Sequence, residues 1–165
     1  MRKALLIMFV WTLGGIINCS LLMSQTPSYL GYEPKKMPKV FTIGQQEILY
    51  ESLVGEYKLS LLEACDNQIM EGYGKWKSFL KEMEAYSKLI GFDLNGSKMW
   101  IHIFCEPDGT FTNIGYHLKP SSINLNLEEM DAFLNGFMDH YKFPLITADQ
   151  KYAHYSMAAF PILED

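Results

Sequence analysis

Clustered cysteines, basic stripes and short metal-ligand spacings are what this chain lacks. Its three cysteines, Cys19, Cys65 and Cys105, stand too far apart for a redox C-x-x-C pair or a zinc knuckle. Its four histidines, His102, His117, His140 and His154, never form H-x-x-x-H, which excludes the helical two-histidine metal site. His102 and His154 fall in strands that a sheet could bring together, but the expected state of each is a satisfied or surface side chain. Ser87, Ser121 and Ser122 lack a nucleophile-elbow context, and no glycine pattern of the phosphate-cradling kind occurs. The formal net charge is −5 and no Lys/Arg cluster is long enough to make a basic stripe, so binding to the phosphate backbone of nucleic acid is disfavoured. Glu128, Glu129 and Asp131 suit a helix N-terminus better than acid–base chemistry. The expectation is a protein that is no enzyme, with no catalytic residues, cofactor or metal.

What is present begins with an address. Arg2 and Lys3 precede the apolar run Ala4 to Ile17, the layout of a secretory signal. Residues 1–24 are read as that signal, with cleavage after Ser24. Two other readings stay open: an uncleaved anchor, and a lipid on Cys19, where Ile16-Ile17-Asn18-Cys19 is similar to a bacterial lipoprotein box. The expected location is periplasmic or secreted, or membrane-anchored under either alternative. The mature chain keeps Cys65 and Cys105, which an oxidising compartment allows to form one disulfide; the other reading is two buried free thiols.

The remaining length and the 48% hydrophobic content suit one globular domain. Residues 25–43, with Pro27, Pro34 and Pro38, read as an irregular lead-in, and residues 44–165 as a single α+β domain. From Gly44 to Met70, Leu49, Leu53, Tyr57, Leu61, Cys65 and Ile69 recur every four residues, which predicts a long amphipathic helix with Gly55 as the place for a bend. Gly72-Tyr73-Gly74 interrupts the pattern. Trp76, Phe79, Leu80, Met83, Tyr86, Leu89 and Ile90 then mark a second helix ending at Gly91, where a left-handed cap belongs. These two helices, spanning 44–91, are expected to pair as an antiparallel hairpin.

After Asn95-Gly96 the composition turns to β-branched and aromatic residues. Met99 to Cys105 and Phe111 to His117 predict two strands joined by Glu106-Pro107-Asp108-Gly109-Thr110, where Pro107 fixes φ and Gly109 takes a positive one. If Glu106 pairs with Thr110, His102 faces Ile114 and Trp100 faces Tyr116. Ile101, Ile103, Cys105 and Phe111 share the other face. Both faces are apolar, so both need covers. One is a helix from Leu127 to Tyr141, capped by Asn126 with Glu129 in a capping-box pattern; the other is the N-terminal helix pair. Tyr152 to Phe160 is a third strand, stopped by Pro161. The predicted order is ααββαβ with an antiparallel sheet.

From 98 to 163 the chain resembles the C-terminal domain of the TonB family, on the order of Asp108-Gly109, the helix from Leu127 to Tyr141, Phe143-Pro144 and Phe160-Pro161-Ile162. The resemblance implies a non-enzymatic, protein-binding module of the cell envelope that lends a sheet edge to an extended peptide of an envelope protein. The long Pro-rich spacer of that family is missing, so force transduction does not follow. The last strand, as the C-terminal element, is the expected edge, which makes Tyr152, His154, Ser156 and Ala158 the candidate partner-binding residues. The competing reading is a secreted small-ligand carrier with a pocket between helices and sheet, and a third is an enzyme with dispersed site residues.

Overall fold

The chain passes around the edge of its own sheet, and that path explains most of the architecture. The structure is a computed structural model that describes residues 36–123 and 126–162. The expected signal, its cleavage site and Cys19 lie outside these residues. Among the described residues five strands make one sheet in the order β1-β4-β3-β5-β2, with β1 at Val40–Thr42, β2 at Leu59–Ser60, β3 at Lys98–Cys105, β4 at Phe111–Leu118 and β5 at Tyr152–Ala159. The central pairs β3–β4 and β3–β5 are antiparallel, as expected, but the short outer strands β1 and β2 pair in parallel with β4 and β5. Residues 40–42 are thus sheet rather than irregular lead-in. The described residues belong to one compact unit, Lys35–Asp165, and the fold class is α+β.

The helix expected from Gly44 to Met70 is broken. Helix α1 covers Glu47–Glu56, and Tyr57 leaves it in an extended conformation. Leu59–Ser60 then pairs with β5, and α2 begins at Leu61, running to Ala64. Ser60 and Glu63 form a capping box, the Ser60 hydroxyl accepting from the Glu63 N–H and the Glu63 carboxylate accepting from the Ser60 N–H, which stabilises a new helix start there. The four-residue repeat survives the break because its members serve different faces of the sheet. Leu49, Leu53 and Tyr57 pack with Phe41 and Phe104 on one face, while Leu61 and Cys65 join the larger core on the other. Strand β2 is where the chain crosses between them.

Helix α3, Ile69–Ile90, runs straight through Gly72 and Gly74 and buries Trp76, Phe79, Leu80 and Met83. It ends at Gly91, whose φ of 73° is the left-handed cap expected there. Helix α4, Leu127–His140, buries Met130, Phe133, Leu134, Phe137 and Met138. The Asn126 side chain accepts from the Glu128 N–H, so it caps the helix as expected, although through Glu128 and without the reciprocal Glu129 bond. Both α3 and α4 contribute to the larger core. The expected helical hairpin over the second face is therefore replaced by α1 alone, which covers only part of that face.

The β3–β4 hairpin closes as expected, the Glu106 N–H donating to Thr110 O at 2.8 Å and Gly109 taking a φ of 80°. A bulge then shifts the register between Phe104 and Cys105, so that Cys105 faces Phe111 but Phe104 faces Asn113. His102 consequently lies opposite Gly115 and Trp100 opposite His117. One extra residue in β4 flips everything beyond it. Ile114 and Tyr116, expected beside His102 and Trp100, instead join Ile101 and Ile103 in the large core, all four fully buried.

Candidate partner-binding edge

Strand β5 reads Tyr-Ala-His-Tyr-Ser-Met-Ala-Ala, without a charged residue. Its hydrogen-bonding parity follows from one bond at its end: the Phe160 N–H donates to Ser97 O at 2.9 Å. The register from Lys98↔Ala159 to Cys105↔Tyr152 has no shift, so alternate residues back from Phe160 also turn their main chain toward β3. These are Ala158, Ser156, His154 and Tyr152. The residues expected to offer main-chain groups to a partner are therefore the ones already used inside the sheet. The outward groups belong to Ala153, Tyr155, Met157 and Ala159. Strand β2 occupies this outer lane only opposite Tyr152 and Ala153; among the described residues no strand pairs with β5 beyond that point.

Side chains divide by the same parity. Tyr152 and Ala158 are core residues, 0% and 1% exposed. His154 and Ser156 point to the same face and line a pocket of about 230 Å³, walled by Leu61, Leu62, Ile69, Gly72, Tyr73 and Trp76. The His154 ring meets Trp76 edge-on at 4.7 Å, and burial lowers its pKa. Ile69 and Tyr73 are 70% and 56% exposed at this rim. On the opposite face Tyr155 stacks on Trp100 with centroids 5.2 Å apart, Met157 lies opposite Trp100 in register, and the Lys119 ammonium sits 5.4 Å over the indole. Tyr155 and Met157 are both nearly half exposed. The open lane is thus bordered by accessible apolar side chains on both faces.

His102 and His154 sit on neighbouring strands but on opposite faces. The Tyr50 hydroxyl and His102 Nδ1 are hydrogen-bonded at 2.8 Å, with the donor set by the imidazole tautomer. Burial, reinforced by the His154 imidazole, lowers the His102 pKa to about 4. A folded-state pKa below the unfolded value of about 6.5 means that the unfolded chain binds the proton first. This contribution to stability is complete above pH about 6.5, falls as pH drops toward 4 and changes no further below it. We expect His102→Leu to flatten the acid side of the stability curve over that window by on the order of 2 kcal/mol, measured as urea midpoints against pH; His154 acts in the same direction and leaves a residual slope. An unchanged slope would place the acid sensitivity elsewhere.

Cys65 and Cys105 are both buried and both free, so the allowed disulfide is not formed. Burial raises both thiol pKa values, which keeps them protonated and unreactive. Among the described residues no group of three or more His, Cys, Asp or Glu is placed to hold a metal ion, and no helix is long and apolar enough to cross a membrane. No protein-family model, curated protein or solved structure matches the chain.

The signal that would have located the outward residues is the pairing of Ser97 with Phe160, which lies outside any local window. The signal for the pocket was partly local. Ser60-Leu61-Leu62-Glu63 is a capping box, and recognising it starts a new helix at Leu61, although its place beside β5 follows from the pairing of Leu59–Ser60 with Tyr152 and Ala153.

Proposed function

We propose that this protein is a non-enzymatic interaction module of the cell envelope whose β5 edge accepts an extended strand from a partner protein. The single observation that carries the reading is the uncharged lane beside Tyr155, Met157 and Ala159, vacated by β2 after Ser60. Edges of this kind are ordinarily blunted by lysine, proline or a covering element. Here an added strand would gain main-chain bonds from β5 and place alternate side chains in the Trp76 pocket and against Trp100 and Tyr155. The order β3, β4, α4, β5, with its Asp108-Gly109 turn, supports the TonB-like resemblance. The leader-like run Ala4 to Ile17 supports an exported chain.

The pocket between α2, α3 and β5 favours a second reading, a small-ligand carrier. Its volume of about 230 Å³ falls below the roughly 300 Å³ at which small-molecule sites begin, which suits one side chain of a bound strand better.

Two proline substitutions separate edge docking from its alternatives. The Met157 N–H points outward, so Met157→Pro should fold and lose strand binding; the Ser156 N–H faces β3, so Ser156→Pro should destabilise the sheet. Panning a random peptide library against the wild type is expected to enrich sequences with alternating apolar residues, and against folded Met157→Pro to enrich none. Equal enrichment on both proteins would sink docking at this edge.

A further inference from the structure

The lane beside β5 is complementary to itself. We propose that the strand it accepts is β5 of a second copy of this chain, paired antiparallel about a two-fold axis at Met157; the proposal rests on the edge-docking reading and names its partner. An axis there sets Tyr155 opposite Ala159 of the second copy, Met157 opposite Met157, and Ala159 opposite Tyr155. All three residues turn main-chain groups outward, so the pairing forms roughly six inter-chain hydrogen bonds, two per facing pair.

The side chains agree with that register. Tyr155, Met157 and Ala159 share the exposed face, where a large ring meets a methyl group at each end of the contact and two flexible thioethers meet at its centre. On the other face the residues beside the axis are Ser156 and Ala158, small enough to let two sheets close edge to edge. Neighbouring axes fit worse: centring on Ser156 or Ala158 keeps only two outward facing pairs, because the third would fall on Ala153, held by Ser60, or on Pro161, which has no N–H. Centring on Tyr155 drives the second copy toward Ser60, which already pairs with Ala153. Centring on Ala159 leaves Tyr155 without a partner strand. The absence of charge in Tyr152–Ala159 has the same explanation, since a charge at position 157 would face its own copy across the axis. Isologous pairing of this kind is the commonest route to a closed dimer.

Position 157 being its own neighbour provides the test. Sedimentation equilibrium of the purified full chain is expected to give the mass of two chains. Met157→Glu and Met157→Lys, each placing like charges face to face, are expected to sediment as single chains with unchanged circular dichroism, and an equimolar mixture of the two to regain the dimer. Ala159→Trp, which sets an indole against Tyr155 of the second copy, is expected to weaken the dimer at least tenfold and serves if the position-157 variants do not fold. A single-chain mass for the wild type at high concentration, a dimer in either folded charge variant, or a mixture that stays dissociated would overturn the proposal. If the wild type is a single chain yet still enriches peptides that Met157→Pro does not, the second copy is excluded as occupant and edge docking stands. If neither dimer nor peptide is found, both fall.

Discussion

Replacing Gly109 by alanine is expected to lower stability by about 2–5 kcal/mol, the sum of left-handed backbone strain and overpacking. Gly109 has a φ of 80°, and a Cβ built on it would lie 2.1 Å from the Phe143 carbonyl oxygen. That approach cannot relax cheaply. The Phe143 N–H donates to Gly109 O at 2.9 Å, the Thr147 N–H to Pro107 O at 2.9 Å, and the Lys142 ammonium holds Asp108 at 2.8 Å. The turn is therefore fastened to the segment that carries the chain from α4 to β5. Gly74→Ala is the control: Gly74 lies inside α3 with nothing within 4 Å of a new Cβ, and the substitution should stabilise by about 0.5–1 kcal/mol. Urea midpoints of the two variants should move in opposite directions. A Gly109→Ala midpoint within error of wild type would mean that the turn has room to move away from Phe143.

Truncating Phe137 to alanine is expected to cost about 3–5 kcal/mol through lost burial and the cavity left behind. Phe137 is fully buried and touches aromatic rings on α3, on β4 and just past its own helix. Phe79 of α3 lies at 5.6 Å and 68°, Phe111 of β4 at 6.3 Å, and Tyr141 just beyond α4 at 5.3 Å. These neighbours are themselves wedged between helix and sheet, so the site can collapse only in part. Phe137→Leu should cost less, because much of the volume is kept. Thermal or urea unfolding gives the comparison, and a loss under about 1 kcal/mol for alanine would mean that α4 is not anchored by this ring.

Local chemistry made α4, the end of α3 and the hairpin turn legible in advance. Asn126, Gly91 and Asp108-Gly109 each act within a few residues, and the apolar spacing of α4 points to one face only. The segment from Gly44 to Met70 misled because its repeat continues across a change of face; periodicity reports that a residue is buried, not against what. The bulge at Phe104/Cys105 was hidden for a different reason. Nothing in the composition of β4 fixes its register, yet a one-residue slip decides whether Ile114 and Tyr116 face α4 or α1. The candidate site suffered the same ambiguity of parity. That β5 has an open edge could be read from its place in the chain, but which residues face outward depends on the contact between Ser97 and Phe160.

The crossing at β2 also bears on the order in which the molecule can assemble. Leu59 and Ser60 pair with Tyr152 and Ala153, so the segment that seats α1 on one face and α2 on the other closes onto β5, a strand synthesised long after it. Contacts between such distant parts of a chain are entropically slow to form. Strand β3 likewise has β5 as its second neighbour. Until Tyr152–Ala159 is present, the N-terminal helices have no sheet edge to wrap and the central strand is half paired. Nascent chains shortened just before Tyr152 should therefore remain protease-sensitive throughout, while extension past Phe160 should confer protection on both ends together.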